Sequence, residues 1–316
     1  MVMAHCLVQV LLARYELPAI DMLAPKATAS LGERMPGVRN THVLDVDHGE
    51  LALGRRRRCG RSVAGRYDQA VVLPNSFKSA LVPWWADIPT RTGWYGEARF
   101  GVLNDRRRLD ESRYPRMIER FMALGLDPLA ALPATSPRPT LLADSANVER
   151  LLAVHRLSVD GGVTVLCPGA EYGPAKRWPS AHFAEVARHA AGEGQQVWLI
   201  GSAQDAAVCA GIEGEVPAGM VNLAGRTSLL DAVDLLSQAD RVVCNDSGLM
   251  HVACALGRRV IAVFGSTSAA FTPPLGPDST VVRDDLDCSP CFQRECPLGH
   301  LRCLNDLAPQ RVIEVM

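Results

Sequence analysis

The second half of the chain alternates short apolar runs with helical patterns, and this alternation constrains the fold more than any other feature. Each apolar run ends in a polar turn, often one that contains glycine. Such a pattern is typical of a parallel sheet covered by helices, in which ligands bind at the carboxyl ends of the strands. We predict strands over residues 162–167, 195–200, 241–244 and 259–264, and helices over 182–191, 229–239 and 249–256.

The first half shows the same alternation more faintly. Strands are predicted over residues 19–23, 42–46 and 69–73, and an amphipathic helix within residues 1–17. A chain of 316 residues exceeds one ordinary core, which favours two domains. Residues 132–140 contain three prolines among small residues and read as a connection. We predict domains over residues 1–155 and 156–316, with the boundary near 153–161.

Two arginine runs stand out against a net charge of −1. One covers residues 55–58 and continues at Arg61 and Arg66, and the other covers residues 106–108. Runs of this kind are often solvated faces. The alternative is a basic rim that attracts an anionic acceptor.

The cysteines and the apolar segments indicate a cytoplasmic protein. No stretch approaches the roughly 20 apolar residues that span a bilayer, and residues 1–17 lack the basic region and cleavage site of a signal peptide. Several isolated cysteines lie in apolar runs, as buried free thiols do. The six isolated cysteines are Cys6, Cys59, Cys167, Cys209, Cys244 and Cys254.

The segment NDSGLMHVA, residues 245–253, follows a predicted strand and opens a predicted helix. The backbone N–H groups and partial positive charge of a helix N-terminus suit a phosphate, and Gly248 permits a close approach. Ser247 adds a hydroxyl donor, and Asp246 is able to accept hydrogen bonds from sugar hydroxyls. The alternative is that Asp246 or Ser247 only caps the helix.

The segment PGAEYGPAKRWP, residues 168–179, follows another predicted strand. It holds Lys176 and Arg177 on a loop constrained by glycine and proline. A diphosphate leaving group needs such positive charge, because no acidic metal-binding cluster is evident in the sequence. The alternative is an ordinary surface Lys–Arg pair anchored by Trp178.

These two segments resemble the signature loops of the bacterial ADP-heptose:lipopolysaccharide heptosyltransferases. LPNSFKSALVP, residues 73–83, and RTGW, residues 91–94, are similar to the subgroup that adds the second inner-core heptose. The resemblance covers nearly the whole chain, and the four segments together are highly specific.

The resemblance implies a GT-B fold, in which two Rossmann-like domains with parallel sheets face each other across a cleft. It implies an inverting, metal-independent transfer from ADP-heptose to the first heptose of the lipopolysaccharide inner core, without a cofactor. We further expect a monomer that binds no nucleic acid and contacts the inner membrane peripherally. The alternatives are a transferase for another nucleotide sugar, or an impaired remnant that binds only nucleotide or a partner.

The resemblance also implies roles for individual residues. Lys176 and Asp246 are the expected catalytic residues: Lys176 neutralises the diphosphate and Asp246 holds heptose hydroxyls. Asp205 corresponds to a ribose contact, although an acid at a helix N-terminus is the alternative, and Thr227 and Ser228 line the adenine pocket. The full expected donor set is Gly169, Lys176, Asp205, Thr227, Ser228, Asp246, Ser247, Gly248 and His251. His251 has the alternative of a merely packed helix residue.

The acceptor is expected to meet residues of the first domain. Asn75, Ser76 and Lys78 are assigned to it, and Lys78 suits an acceptor phosphate or carboxylate. Asn75 and Ser76 have the alternative of plain turn chemistry after a strand.

Family members begin with a strand and a Gly-Asp loop, whose aspartate is the expected general base. Since the sequence starts at Met1, this strand and the base are expected to be absent. Asp21, Asp45 and Asp47 lie too far along to replace the base. Weak or absent transfer with persistent donor binding is therefore expected of the chain as given, and a misassigned start is the simpler explanation.

Four cysteines cluster near the end of the chain, at Cys288, Cys291, Cys296 and Cys303. With His300, the spacing C-x2-C-x4-C-x6-C is compatible with a zinc or iron–sulfur site. It is not a standard ribbon spacing, and the chemistry implied by the resemblance needs no metal. We predict no metal here, with reduced thiols or an incidental disulfide as the ordinary interpretation.

Overall fold

The structure, a computed structural model, describes residues 1–47, 49–216 and 219–316. The chain forms two compact units, one of Met1 and Met3–Pro137 and the other of Val2 and Arg138–Met316. The change of unit at Pro137 lies inside the proline-containing connection that the sequence predicts. No helix in the described ranges is both long and apolar enough to cross a bilayer.

The first unit contains two parallel sheets. In one, β1 (Ile20–Pro25) pairs with β2 (Val38–Leu44); in the other, β4 (Thr90–Trp94) lies between β3 (Gln69–Val72) and β5 (Asp105–Arg107). The helices are α1 (His5–Arg14), α2 (Lys26–Ala29), α3 (Leu53–Ser62), α4 (Phe77–Trp85) and α5 (Met117–Leu124). The strands predicted over 19–23 and 69–73 and the first helix are confirmed. The strand predicted over 42–46 begins and ends earlier, at Val38–Leu44, and β4 and β5 were not foreseen.

The second unit is one parallel sheet covered by helices, as predicted. Its strands follow the order β11-β10-β9-β6-β7-β8. They are β6 (Val163–Cys167), β7 (Gln196–Leu199), β8 (Met220–Asn222), β9 (Arg241–Asn245), β10 (Arg259–Val263) and β11 (Ser279–Val282). The helices are α6 (Ser145–His155), α7 (Ser180–Gly192), α8 (Ala206–Glu215), α9 (Leu229–Leu236), α10 (Gly248–Ala255), α11 (Arg302–Asn305) and α12 (Gln310–Ile313).

Helix α6 belongs to the second unit, although the predicted boundary at 155/156 assigns it to the first domain. The Asn147 side-chain amide on α6 donates to Asp234 over 2.7 Å and to Asp231 over 3.0 Å, both on α9. Asp234 is fully buried, so this contact fixes α6 against α9. The change of unit therefore comes before α6 rather than after it.

The register of the second sheet places two turns side by side. All five residues of β6 are buried, as expected for a central strand with helices on both faces. β6 pairs with β9 in parallel, and Cys167 is the register partner of Cys244. Segments 168–179 and 245–253 therefore leave neighbouring strands at the same edge of the sheet.

Candidate functional site

Lys176 and Asp246 meet at the carboxyl edge of the second sheet. Lys176 Nζ donates to Asp246 Oδ2 over 2.6 Å, which confirms that the two predicted turns converge. The side chains are 15% and 6% exposed, so the ion pair is largely withdrawn from water. A lone buried charge is costly, and each side chain is therefore held by the other.

Thr267 completes the environment of Asp246. Its hydroxyl donates to the same Oδ2 over 2.6 Å, while Oδ1 receives no hydrogen bond from the described residues. Asp246 thus faces side chains rather than capping a helix. The sequence reasoning missed Thr267, although it follows β10 through a Gly265-Ser266 turn of the kind seen elsewhere at this sheet edge.

Asn245 fixes the loop that carries Lys176. Its Oδ1 accepts from the backbone N–H of Trp178 over 3.1 Å, and its Nδ2 donates to the carbonyl of Pro168 over 2.7 Å. The Trp178 indole is buried and donates to the carbonyl of Leu307 over 2.9 Å. The loop is therefore tied to β9 near both of its ends, unlike an ordinary surface loop.

Two cations lie close to the ring of Tyr172. Lys176 Nζ is 4.9 Å from the ring centroid, and the Arg294 guanidinium carbon is 5.5 Å from it. The Tyr172 hydroxyl donates to the carbonyl of Phe292 over 2.7 Å. Cation–π attraction at both contacts holds positive charge beside the site.

The N-terminus of α10 is open. Ser247 occupies the N-cap position but makes no capping hydrogen bond, and its buried hydroxyl has no partner among the described residues. A Cβ added at Gly248 would meet no atom within 4 Å. Capping does not account for these residues, whereas free N–H groups and open space suit an anion.

His251 lies on α10 near the ion pair and is uncharged at neutral pH. Burial lowers the pKa of His251 to about 4, although the charge of Asp246 opposes this shift. Its buried Nδ1 has no hydrogen-bond partner in the part of the chain that the structure describes. A neutral imidazole is able to donate or accept a hydrogen bond there without adding charge.

Gly169 and Asp205 are in close contact. A Cβ at Gly169 would lie 2.4 Å from the Asp205 carboxyl carbon, so only glycine fits beside this aspartate. Asp205 Oδ2 accepts from the backbone N–H and the hydroxyl of Ser202, over 2.9 and 2.7 Å. Asp205 therefore closes its own turn at the start of α8, next to the Lys176 loop, and its role as a ribose contact stays a prediction.

Thr227 and Ser228 follow β8 and precede α9. The Ser228 hydroxyl accepts from the backbone N–H of Asp231 over 3.1 Å, and the Asp231 carboxylate accepts from the backbone N–H of Ser228 over 2.9 Å. This is a reciprocal capping box, which was not foreseen. The adenine-pocket assignment of both residues stays a prediction.

The predicted acceptor residues of the first unit surround the start of α4. Ser76 is its N-cap residue, and the Ser76 and Ser79 hydroxyls are 2.6 Å apart. Asn75 Oδ1 lies 3.4 Å from the Arg99 guanidinium. Lys78 forms no ion pair with any residue in the described ranges, so its charge is available.

Each arginine run contains a structural residue beside exposed arginines, and the first run also contains Arg55, which is half-buried and pairs with Glu50. Arg56 is buried and donates to the carbonyls of Leu51 and Glu50. Arg107 binds the Asp105 carboxylate and the carbonyl oxygens of Ala123 and Leu126. The exposed arginines are Arg57, Arg58, Arg61, Arg66, Arg106 and Arg108.

Asp21 is engaged in structural contacts in the first unit. Its carboxylate accepts from Arg39 over 2.9 Å and from the Tyr67 hydroxyl. The hydrogen bond from Arg39 is the main cause that lowers the pKa of Asp21 to about 2. A carboxylate held in this way is a poor proton acceptor, which agrees with its exclusion as the base.

The four cysteines of the terminal cluster line one cavity with Ala175, Ser266 and His300. All four thiols are unbonded, and no group of three His, Cys, Asp or Glu side chains in the described residues is arranged to hold a metal ion. Backbone N–H groups, first that of Leu301, lower the pKa of Cys296. Ala175 and Ser266 directly precede Lys176 and Thr267, the two donors to Asp246, in the sequence.

The chain is similar to known proteins over most of its length. Residues 56–302 match the model of glycosyltransferase family 9 (heptosyltransferase). The chain is 43% identical to lipopolysaccharide heptosyltransferase 2 of Salmonella typhimurium, covering 99% of this chain and 93% of that one. It is 41% identical to lipooligosaccharide heptosyltransferase 2 of Haemophilus influenzae, covering 99% and 94%. The structure of Escherichia coli ADP-heptose lipopolysaccharide heptosyltransferase II is similar with a TM-score of 0.89 and 41% identity, covering 100% and 93%.

Proposed function

This chain belongs to glycosyltransferase family 9, and we propose that it transfers heptose from ADP-heptose to the first heptose of the lipopolysaccharide inner core. One observation carries the proposal: the buried Lys176–Asp246 pair lies beside the open N-terminus of α10. That arrangement offers positive charge and a carboxylate oxygen at one place, as a sugar diphosphate requires.

Lys176 and α10 would receive the diphosphate. An ammonium group has three N–H donors, and only one is needed for the bond to Asp246. The others and the N–H groups near Gly248 would neutralise the charge that develops as the bond between the anomeric carbon and the diphosphate breaks. ADP would leave with the electron pair while the acceptor hydroxyl attacks the opposite face and releases its proton to water, which inverts the configuration.

Asp246 would orient the heptose. Its Oδ2 is occupied by Lys176 and Thr267, so Oδ1 is the oxygen left for a sugar hydroxyl. His251 and the Ser247 hydroxyl, both unpartnered among the residues described, lie near the same carboxylate and would bind the donor. Gly169, Asp205, Thr227 and Ser228 would complete the nucleotide site at the neighbouring strand ends.

The acceptor would bind the first unit through Asn75, Ser76 and Lys78. The inner core is anionic, and the charge of Lys78 is not taken up by a described ion pair. We place the reaction in the cytoplasm, with peripheral contact to the inner membrane that carries the acceptor, and expect a monomer. Ten cysteines, all unbonded, favour that reducing compartment.

A donor panel tests the proposal. Purified protein is incubated with ADP-heptose and a lipid A–Kdo acceptor that carries one heptose, and the product is followed by mass spectrometry. The expected result is the addition of a single heptose and a rise in Tm with ADP, whereas a Tm rise without transfer would match the impaired remnant that the sequence analysis gives as an alternative. A larger Tm rise with UDP- or GDP-sugars, or no ADP effect at millimolar concentration, would contradict it.

A further inference from the structure

We infer that Tyr95, Phe100 and Arg106 form a second acceptor subsite on the first unit, which binds a sugar ring carrying a carboxylate or phosphate. This inference rests on the proposed function, because it names how the same acceptor is selected. None of these aromatic residues belongs to the acceptor set that the sequence predicts. We call the three residues the aromatic shelf.

The shelf presents two adjacent rings to solvent. Tyr95 is 58% exposed and Phe100 is 60% exposed, and their centroids are 5.8 Å apart in an edge-to-face arrangement. Neighbouring exposed aromatic rings form an apolar patch, and such patches commonly mark binding surfaces. Tyr95 follows β4 directly, so the shelf begins at the carboxyl end of a parallel strand.

Arg106 supplies charge to the shelf. Its guanidinium carbon lies 4.8 Å from the Phe100 centroid, and the side chain is exposed. It forms no ion pair with any residue of the described ranges. A guanidinium stacked on a ring keeps its planar fork free for an oxyanion, which a carboxylate or phosphate matches.

The loop beneath the shelf is firmly built. Arg99 is 2% exposed and donates to the carbonyls of Pro74 and Trp94, with the first bond measuring 2.9 Å. The same guanidinium reaches Asn75 Oδ1 at 3.4 Å, so the shelf loop is joined to the predicted acceptor loop. Arg99 and Glu97 also line the small hollow between Tyr95, Phe100 and Arg106.

The combination of groups selects a class of ligand. The C–H face of a pyranose carries partial positive charge and packs on the negative face of an aromatic ring. A neutral sugar would use the rings alone, whereas an acidic sugar would also use Arg106.

Steady-state kinetics with saturating ADP-heptose test the shelf. Phe100→Ala and Tyr95→Ala should each raise the acceptor KM about tenfold, equivalent to about 1.4 kcal/mol, and leave ADP affinity unchanged. Phe100→Leu, which keeps apolar volume without an aromatic face, should resemble Phe100→Ala. Arg106→Gln should raise the KM of an acidic acceptor more than the KM of an acceptor whose carboxylates have been reduced. Tyr15→Ala, at an exposed residue of the first unit, and Arg188→Gln, at an exposed residue of the second unit, are the matched controls.

The outcomes separate this inference from the proposed function. Unchanged acceptor KM in the shelf variants of an active enzyme would reject the shelf and leave heptosyl transfer standing. If the wild type shows no transfer, saturation-transfer NMR with the isolated core saccharide still tests the shelf, and loss of contacts in Phe100→Leu supports it. Binding of anionic vesicles that depends on the shelf, without any saccharide binding, would overturn it in favour of a lipid surface.

Discussion

Asn245 accepts a hydrogen bond from the backbone N–H of Trp178 over 3.1 Å, and this contact holds the loop that carries Lys176. The second bond of Asn245, to the carbonyl of Pro168, measures 2.7 Å. One fully buried side chain therefore sets the distance between the two turns of the site.

Replacing Asn245 with alanine should lower both stability and donor affinity. The variant leaves a buried N–H and a buried carbonyl without partners, which costs about 2–3 kcal/mol. Thermal unfolding and ADP titration measure the two effects. Asn305→Ala, at an exposed asparagine, is the control and should change neither. Normal ADP affinity in Asn245→Ala would show that the loop keeps its position without this bond.

Replacing Lys176 with methionine should reduce kcat by a factor on the order of 10²–10³, because charge on the leaving diphosphate loses its nearest cation. Asp246 also loses its partner, so Tm should fall. In the double variant Lys176→Met/Asp246→Asn both side chains are neutral, so Tm should recover whereas kcat should not. Lys26→Met, at an exposed lysine of the first unit, is the control for charge. Full activity in Lys176→Met would remove Lys176 from the mechanism.

Replacing Gly248 with alanine should abolish donor binding without harming the fold. The added methyl group enters open space at the start of α10, where the phosphate would approach. Gly211→Ala is a matched control, since its Cβ also meets no atom within 4 Å but lies on α8. It should raise Tm slightly, because alanine favours a helix. Equal ADP affinity in the two variants would argue against a phosphate at α10.

The contribution of Asp21 to stability should depend on pH. Its pKa is lowered from 3.8 to about 2, so the folded state favours the carboxylate. The stabilisation is fully present above about pH 4 and is lost as pH falls toward 2. Asp21→Asn should therefore destabilise the protein by about 1–2 kcal/mol at pH 6, and the difference should shrink in acid. Chemical denaturation at several pH values measures it; a difference that stays constant to pH 2 contradicts the assignment.

Cys296 should be alkylated faster than Cys59 near neutral pH. Backbone N–H groups lower the pKa of Cys296, whereas burial raises the pKa of Cys59, and both are partly exposed. A larger thiolate fraction reacts faster with iodoacetamide. Peptide mass spectrometry after short exposure gives both rates in one sample, and equal rates would contradict the prediction.

Strands that are buried on both faces were the easiest elements to predict from the sequence. β6, β9 and β10 form continuous apolar runs because helices cover both faces of the second sheet. β4 and β5 were missed because the sequences TRTGW and DRR carry polar residues and lack an apolar run. Their pairing is long-range and leaves no local pattern. β8 and β11 were not predicted either, since they are only three and four residues long.

The convergence of the two candidate-site loops was predictable because a motif carries each of them. Lys176 and Asp246 come from two such motifs, and their contact follows from the neighbouring strands. Thr267 and Tyr172 act through tertiary contacts with those two residues, which spacing alone does not reveal. The predicted position of the unit boundary was wrong for the same reason, because Asn147 is held by Asp234, which lies far along the chain.

The close contact between Gly169 and Asp205 limits which substitutions evolution accepts at these two positions. While the aspartate stays in place, even alanine at position 169 would put a methyl group 2.4 Å from a carboxyl carbon. Single substitutions at these two positions are therefore accepted in one order. A smaller residue must replace Asp205, or its side chain must move away, before any larger residue fits at position 169. In related proteins, a residue other than glycine at position 169 should therefore occur only together with a residue other than aspartate at position 205.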